Sequence, residues 1–251
     1  YFLKNKFELL LLEQNNYIGG HSHTHTISEN NKAFNFDSGF IVFNNLNYQN
    51  YIKVLEENNV EYEKSNMSFS VINDEEDYEW AGKNIKTIFD LSNIFTLRYW
   101  KVLAGIVKLN LIIKTKKQIN NSITVDQFLR NHHFNDEFIN LYFLPMCSSI
   151  WSSNFQDIKN YGAKFVINFF ENHGLCNILK KRPIWMTIKN GSSQYVKKIV
   201  SKIGEDNCLL NSEVINIDQD NKIVKCSNDK EYKYDILILC IHPDQAKKII
   251  K

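Results

Sequence analysis

LLLLEQNNYIGGHSHTHT, residues 9–26, joins three chemical signals in one stretch. An apolar run stops at an acid, Glu13; the glycines Gly19 and Gly20 follow; then His21, His23 and His25 alternate with Ser22, Thr24 and Thr26. Residues 7–13 read as a strand whose unbroken run of leucines suits a parallel sheet covered on both faces. In a dinucleotide-binding fold the second strand of such a sheet ends in an acid, because a carboxylate there accepts both hydroxyls of the adenosine ribose. That fold also needs a G-x-G-x-x-G turn opening a helix about twenty residues earlier. Counting back from Glu13 runs off the front of the chain, so residues 1–3 would end that helix and the glycine turn would lie upstream. The paired glycines let a cofactor approach the backbone where any Cβ would intrude. The plain alternative is a turn after an ordinary strand, and spacing alone leaves the two readings balanced.

The histidines suggest a rival. If residues 21–25 are extended, three imidazoles share one face and could meet one metal ion. Same-face neighbours on a single strand rarely converge on a tetrahedron, and no His-x-x-x-His or cysteine pair downstream completes a set. Polar side chains lining a cofactor and substrate channel are the better reading, and no metal is expected.

The 251 residues allow one large domain or two entwined ones. With 43% hydrophobic and 23% charged residues the balance is that of an ordinary soluble protein. A net charge of +2 offers no strong field for nucleic acid or an acidic membrane. The frequent Asn, Ile and Lys read as the codon bias of an AT-rich gene, without function. Five cysteines (Cys147, Cys176, Cys208, Cys226 and Cys240) are scattered and never spaced C-x-x-C. That argues for thiols in a reducing compartment and a cytoplasmic location, against a disulfide framework or a thiolate zinc site. No signal peptide is visible, and the chain opens on Tyr1 without an initiator Met, which points to a true N-terminus upstream. Residues 97–113 are apolar but carry Arg98, Lys101, Lys108 and Asn110 and fall short of the ~20 residues a span needs. A buried helix is preferred there over one dipping into a membrane surface.

Further along, residues 24–27 and 33–37 read as strands around the turn residues Glu29, Asn30, Asn31 and Lys32. Residues 47–58 have helical spacing, and 67–73 and 78–80 read as strands joined across an acidic turn. A helical block follows, from about 84 to about 182, in which T-V-D-Q at 124–127 is a capping box. Residues 194–203 form a helix, 213–218 and 222–226 a hairpin, 234–240 a buried strand, and a helix begins near Asp244. Segments of α/β character at both ends bracket a helical middle, the pattern of a nucleotide-binding domain with a second domain inserted.

The order strand, Glu13, Gly19 and Gly20, polar strand, then Asp37, Ser38 and Gly39 resembles the FAD-dependent superfamily of monoamine oxidases, protoporphyrinogen oxidases and phytoene desaturases. It is most similar to bacterial proteins described as NAD/FAD-binding or amine-oxidase-like. The stretches that carry the likeness are GGHSHT (19–24), DSGFIVFN (37–44), MSFS (67–70), EWAG (79–82), LPMCSSIWS (144–152), NHGL (172–175) and RPIWMTIKNGSSQYV (182–196). They run in order over nearly the whole chain. The resemblance implies an α/β fold: a Rossmann-like FAD-binding domain from residues 1–42 and 191–251, with an inserted, mainly helical substrate domain at 43–190 carrying a small sheet. It implies that Glu13 holds the adenosine ribose and that Gly19, Gly20, His21 and Ser22 lie along the pyrophosphate and ribityl chain. Relatives usually carry an Arg where this chain has His21. Gly39, Phe40 and Ile41 would pass the flavin ring, and the backbone of Val214 would meet adenine. Asn190, Gly191 and Ser192 stand where the family has Gly-Gly-Ser, and the N-terminal G-x-G-x-x-G and C-terminal flavin-closing segment are missing.

The function expected is an FAD-dependent oxidoreductase removing hydride from a C–N or C–C bond of an organic, apolar small molecule, lipid-like ones included. A non-catalytic flavin-binding module and a histidine-based metalloenzyme are the alternatives. No catalytic residue can be named from spacing. His173, before Gly174, reads as a helix C-terminus; His242, after the run ILILC, has the better functional position. Trp151, Trp185, Phe169, Phe170 and Tyr142 could wall a substrate pocket, although each alone is more simply core. Without the glycine turn, residues 1–251 are expected to hold FAD weakly.

Overall fold

The computed structural model describes residues 1–67, 69–74, 78–81, 95–115, 119–175 and 183–250. Its elements run β1 (Leu11–Leu12), β2 (Thr24–Glu29), β3 (Lys32–Asp37), β4 (Phe43–Asn44), α1 (Gln49–Glu57), β5 (Tyr62–Lys64), β6 (Ser70–Asn73) and β7 (Tyr78–Ala81). Next come α2 (Leu97–Lys114), α3 (Val125–Asn131), α4 (Asp136–Phe138), a π-helical turn (Ile139–Phe143), α5 (Leu144–Trp151), α6 (Phe155–Asn160) and α7 (Ala163–Asn172). The last third holds β8 (Trp185–Ile188), α8 (Ser193–Ile203), β9 (Cys208–Leu209), β10 (Val214–Asp218), β11 (Ile223–Cys226), β12 (Glu231–Lys233) and α9 (Pro243–Ile249). Two compact units result: Tyr1–Phe43, Gln49–Glu63 and Thr187–Lys251 in the first, Asn44–Tyr48 and Lys64–Met186 in the second. β4, β8 and β5 pair in that order in a three-stranded sheet.

In the first unit β1 pairs in parallel with β9, Leu11 opposite Cys208, and the Glu13 amide donates to Leu209 O at 2.9 Å. Residues from the two ends of the sequence therefore share a ladder, in the parallel sense the leucine run implies. The run is not covered on both faces, however. Only two residues enter the ladder, and Leu10 is 46% exposed. Among the described residues β1 is paired along one edge only, and its other edge stays open. Residues 1–7 form hydrogen-bonded turns, with the Phe7 amide on Leu3 O, rather than the expected end of a helix at Leu3.

β2 and β3 make a hairpin with Thr24 opposite Asp37 and Glu29 opposite Lys32. The strands run longer than the sequence suggests because the turn needs only Asn30 and Asn31, both left-handed at φ 50° and 61°. Asn tolerates that region, and a two-residue turn of this hand matches strand twist. β10, β11 and β12 form an antiparallel sheet with a register shift between Val214 and Asn216. The buried strand expected at 234–240 is absent: the segment has no strand partner among the described residues, and Ile236 and Ile238 are 66% and 61% exposed. An apolar run becomes a buried strand only where neighbours cover it. α9 starts one residue before Asp244, with Pro243 in its first turn, where a missing N–H costs nothing.

The second unit is built on a continuous apolar core. Phe128, Leu129, Phe138, Phe143, Leu144, Ile158, Val166 and Phe170 are all at most 2% exposed. α2 contributes one face, Tyr99, Val102, Gly105 and Leu109, while Trp100, Val107 and Leu111 face outward. It is thus half-buried, not enclosed, and among the described residues no helix is long and apolar enough to cross a membrane. Gly105 has a packing reason: a Cβ there would stand 2.3 Å from the Phe138 ring. The capping box forms at α3, where the Gln127 amide donates to Thr124 Oγ1 at 3.2 Å and the Thr124 amide to Gln127 Oε1 at 3.0 Å. β6 and β7 pair antiparallel, Val71 opposite Trp80. The middle of their acidic turn, the start of the helical block and Cys176 lie outside the described residues.

Candidate functional site

The first-unit residues singled out in the sequence fall into two neighbourhoods. In one, the chain turns at 19–22, with the Ser22 amide on Gly19 O at 2.9 Å. Gly19 (φ +127°) and Gly20 (φ +56°) are both in the region that favours glycine, yet for different reasons. A Cβ on Gly19 would sit 2.9 Å from Ser22 O and 3.3 Å from Val196 of α8; one on Gly20 would meet nothing within 4 Å. Gly19 is fixed by packing, whereas Gly20 borders open space. The segment 38–41 lies directly alongside: the Phe40 amide donates to His21 O at 2.7 Å, and a Cβ on Gly39 would approach that oxygen to 2.3 Å. Ile41 O accepts from Thr187 Oγ1 at 2.8 Å. His21, Ser22, Gly39, Phe40 and Ile41 are therefore brought together.

The group that holds this neighbourhood is Asp37, which the sequence marks only as part of the family pattern, without a role. Asp37, at the end of β3, accepts the Ser192 amide on both carboxylate oxygens at 2.9 Å and the Ser192 hydroxyl on Oδ1 at 2.8 Å. Thr24 Oγ1 donates to the same Oδ1 at 2.6 Å and accepts the Ser193 amide at 2.9 Å. The first turn of α8 is capped by the hairpin, not by its own residues, and a carboxylate suits the positive end of a helix. Gly191 (φ +95°) lets the two meet, since a Cβ there would lie 2.3 Å from Thr24 Cγ2. Asn190, at φ 66°, takes the left-handed conformation that Asn supports, so the departure from Gly-Gly-Ser leaves the turn intact. Ser22 Oγ meets the Tyr195 hydroxyl, and the Tyr195 ring packs edge-on to Tyr51 at 5.3 Å. Among the described residues the buried Tyr51 hydroxyl has no hydrogen-bond partner of good geometry. Burial first, then the neighbouring Tyr195 and Asp37, holds its ionisation far above that of an ordinary phenol. No local pattern predicts the contacts of Asp37 or Tyr195, because their partners lie 155 and 173 residues away.

The other neighbourhood holds Glu13. Its Oε1 accepts the Asn15 amide and Asn15 Nδ2, each at 2.9 Å, and among the described residues Oε2 takes no such bond. The Ser212 amide donates to Glu13 O at 2.8 Å, which ties the acid to the segment leading into Val214 on β10. Glu13 thus offers one unengaged carboxylate oxygen, an acceptor to which a ribose hydroxyl can donate, and Gly20 offers open backbone. These residues fit a dinucleotide.

The histidines do not converge. The His23 ring stacks on Tyr17 and the His25 ring on Phe36, the two imidazoles lying 4.2 Å apart and tilted by 53°, whereas the His21 ring faces His242, 6.1 Å distant. Among the described residues no group of three or more His, Cys, Asp or Glu is arranged for a metal. Of the five aromatics considered for a pocket, Phe170 and Tyr142 are buried core, while Trp151, Phe169 and Trp185 are half-buried.

No curated protein matches this chain. Among solved structures, putrescine oxidase bound to putrescine superposes with a TM-score of 0.70 at 13% identity, over 98% of this chain and 55% of that one. Cyclohexylamine oxidase from Brevibacterium oxydans IH-35A gives 0.70 at 18%, over 96% and 54%. Reduced UDP-galactopyranose mutase gives 0.62 at 16%, over 96% and 52%. These likenesses establish a mixed α/β fold of that type, and the chain spans about half the length of each structure. The profile of the family described as flavin containing amine oxidoreductase matches residues 2–251, so the chain belongs to that family.

Proposed function

We propose that the protein is an FAD-dependent oxidoreductase that takes hydride from a C–N or C–C bond of an apolar organic small molecule. The observation that carries this is the pairing of Glu13, one oxygen held by Asn15 and the other unengaged, with a positive-φ glycine turn open at Gly20. In this reading a Rossmann-like domain from residues 1–42 and 191–251 carries the cofactor, and an inserted helical domain, 43–190, the substrate. Glu13 would hold the adenosine ribose, the Val214 backbone the adenine, and Gly19, Gly20, His21 and Ser22 the pyrophosphate and ribityl chain. Gly39, Phe40 and Ile41 would border the ring. The flavin itself supplies the hydride acceptor when bound, so little acid–base chemistry is asked of the side chains. Asp37 keeps the two cofactor-facing segments in register by anchoring both to α8. Substrates are small apolar molecules, nucleic acid is not a partner, and the setting is cytoplasmic.

The test uses the purified full-length protein. It purifies yellow, with flavin absorption bands, and Glu13→Ala weakens FAD binding. Anaerobic addition of amines, putrescine and cyclohexylamine among them, then bleaches the flavin if one is a substrate. Bound flavin that no organic donor reduces would favour a non-catalytic flavin module, and a colourless protein that takes up no FAD overturns the proposal.

A further inference from the structure

The helical unit contains a row of rings that the cofactor reading does not use. Phe165, Phe169 and His173 recur at i, i+4 and i+8 along α7 and its C-terminus, so they share one face. Trp151 packs against the first two, with centroids 5.5 and 5.0 Å apart, and the His173 ring stacks on Phe169 at 3.8 Å and 19°. Trp185 extends the row, its plane within 18° of the His173 ring at 6.3 Å. These rings differ from the core aromatics beside them: Phe165 is 57% exposed and the others are half-buried, whereas Phe170 is fully enclosed.

His173 gives this row a polar address. Its Nδ1 lies 3.0 Å from Phe169 O. A carbonyl only accepts, so Nδ1 carries the proton and, in the neutral ring, Nε2 presents a lone pair. The ring cannot easily turn. The His173 amide also donates to Phe169 O, Gly174 (φ +64°) and Leu175 close the helix end with bonds to Glu171 O and Phe170 O, and Asn47 Nδ2 holds Asn172 O. A fixed acceptor set between the near-parallel rings of Phe169 and Trp185 selects both shape and chemistry: a flat ring that can stack, bearing an N–H or O–H to donate.

We propose that this row is a recognition face for flat aromatic molecules carrying a hydrogen-bond donor, with His173 Nε2 as the specificity-determining acceptor. As the place where the substrate is recognised, it rests on the oxidoreductase reading; the binding itself does not involve flavin, so the two fail separately. The probes are indole and 1-methylindole, which share a flat bicyclic ring but differ in the N–H. Titrated into the protein and followed by ligand-observed NMR, indole binds roughly three- to tenfold more tightly than 1-methylindole, the worth of one net hydrogen bond. His173→Phe keeps the stack and abolishes the preference while leaving 1-methylindole binding unchanged. In wild-type protein carrying ¹⁵N-labelled histidine, indole shifts the Nε2 resonance of His173 and 1-methylindole does not, a reading that needs no variant to fold. Equal affinity for the two probes, binding of neither, a preference that survives His173→Phe, or an unmoved Nε2 resonance each overturns the proposal.

Discussion

In the helical unit, Phe138 is fully enclosed by Phe134, Tyr142, Phe143 and the bare Cα of Gly105; in the other unit, the corresponding anchor is a carboxylate, Asp37, gathering two hydroxyls and a helix end. The first arrangement gains stability from apolar area removed from water, and its tolerance is set by volume. The second gains less from area, since Leu10, Ile236 and Ile238 remain exposed, and depends on direction. Each polar group there is tied to Asp37 or Thr24 at 2.6–2.9 Å. The lesson is that the region bearing the candidate cofactor residues is the more easily distorted of the two. A turn that must present open backbone at Gly20 cannot also be filled with core.

The largest effect should come from emptying the apolar anchor. Phe138→Ala is expected to cost about 3–5 kcal/mol, read from denaturant unfolding followed at the helical unit; a loss below about 1 kcal/mol would mean that this core is less continuous than its burial implies. Asp37→Ala should cost about 2–3 kcal/mol and raise amide exchange in the first turn of α8, because the Ser192 amide and hydroxyl lose their acceptor. Asp37→Asn should lose less, retaining one acceptor atom. If exchange at Ser192 and Ser193 is unchanged in Asp37→Ala, the hairpin does not cap that helix. Thr124→Ala removes half of the capping box at α3 and should cost about 1 kcal/mol, visible as a lower midpoint without a change in slope.

An alkaline titration separates the units more gently. Burial raises the Tyr78 hydroxyl to about 12, and burial with Tyr195 and Asp37 raises that of Tyr51 further. In the unfolded chain both ionise near 10. Above that pH the unfolded state gives up protons that the folded state keeps, so stability is complete below pH 10 and falls as pH rises beyond it. Tyr78 is buried and Tyr51 half-buried, so the loss at pH 11 should be about 1 kcal/mol for each. Tyr51→Phe should flatten the fall in the first unit and Tyr78→Phe in the helical one; equal slopes in wild type and variants would show that neither phenol is held neutral. Smallest of all is the surface pair of Lys189 and Glu61, 2.8 Å apart. Lys189→Ala should leave the unfolding midpoint where it is, and a clear drop would give the first unit an electrostatic support its exposure does not suggest.

Local rules wrote much of this molecule. The capping box at Thr124, the helix end at His173 and Gly174, the Asn30–Asn31 turn and the parallel sense of the leucine strand all follow from residues within a few positions of one another, where backbone sterics and hydrogen-bond reach decide the outcome. The apolar run at 234–240 looked equally legible and was not, because a strand exists only with a neighbour, and that neighbour is a tertiary fact. Gly19 and Gly20 are alike in sequence; only packing against Val196 separates the structural glycine from the open one. Likewise Asp37, Thr24, Ser192 and Tyr195 fall within the family stretches, but nothing in the order of residues says that they meet, since hydrogen bonds reach about 3 Å whereas their partners are far away along the chain. The sequence by itself determined where the chain turns, which helices and hairpins local rules favour and to which family it belongs; the tertiary structure alone decided which apolar runs become strands and which polar groups meet, for contacts between distant residues arise from how elements pack and not from any period written in the order of residues.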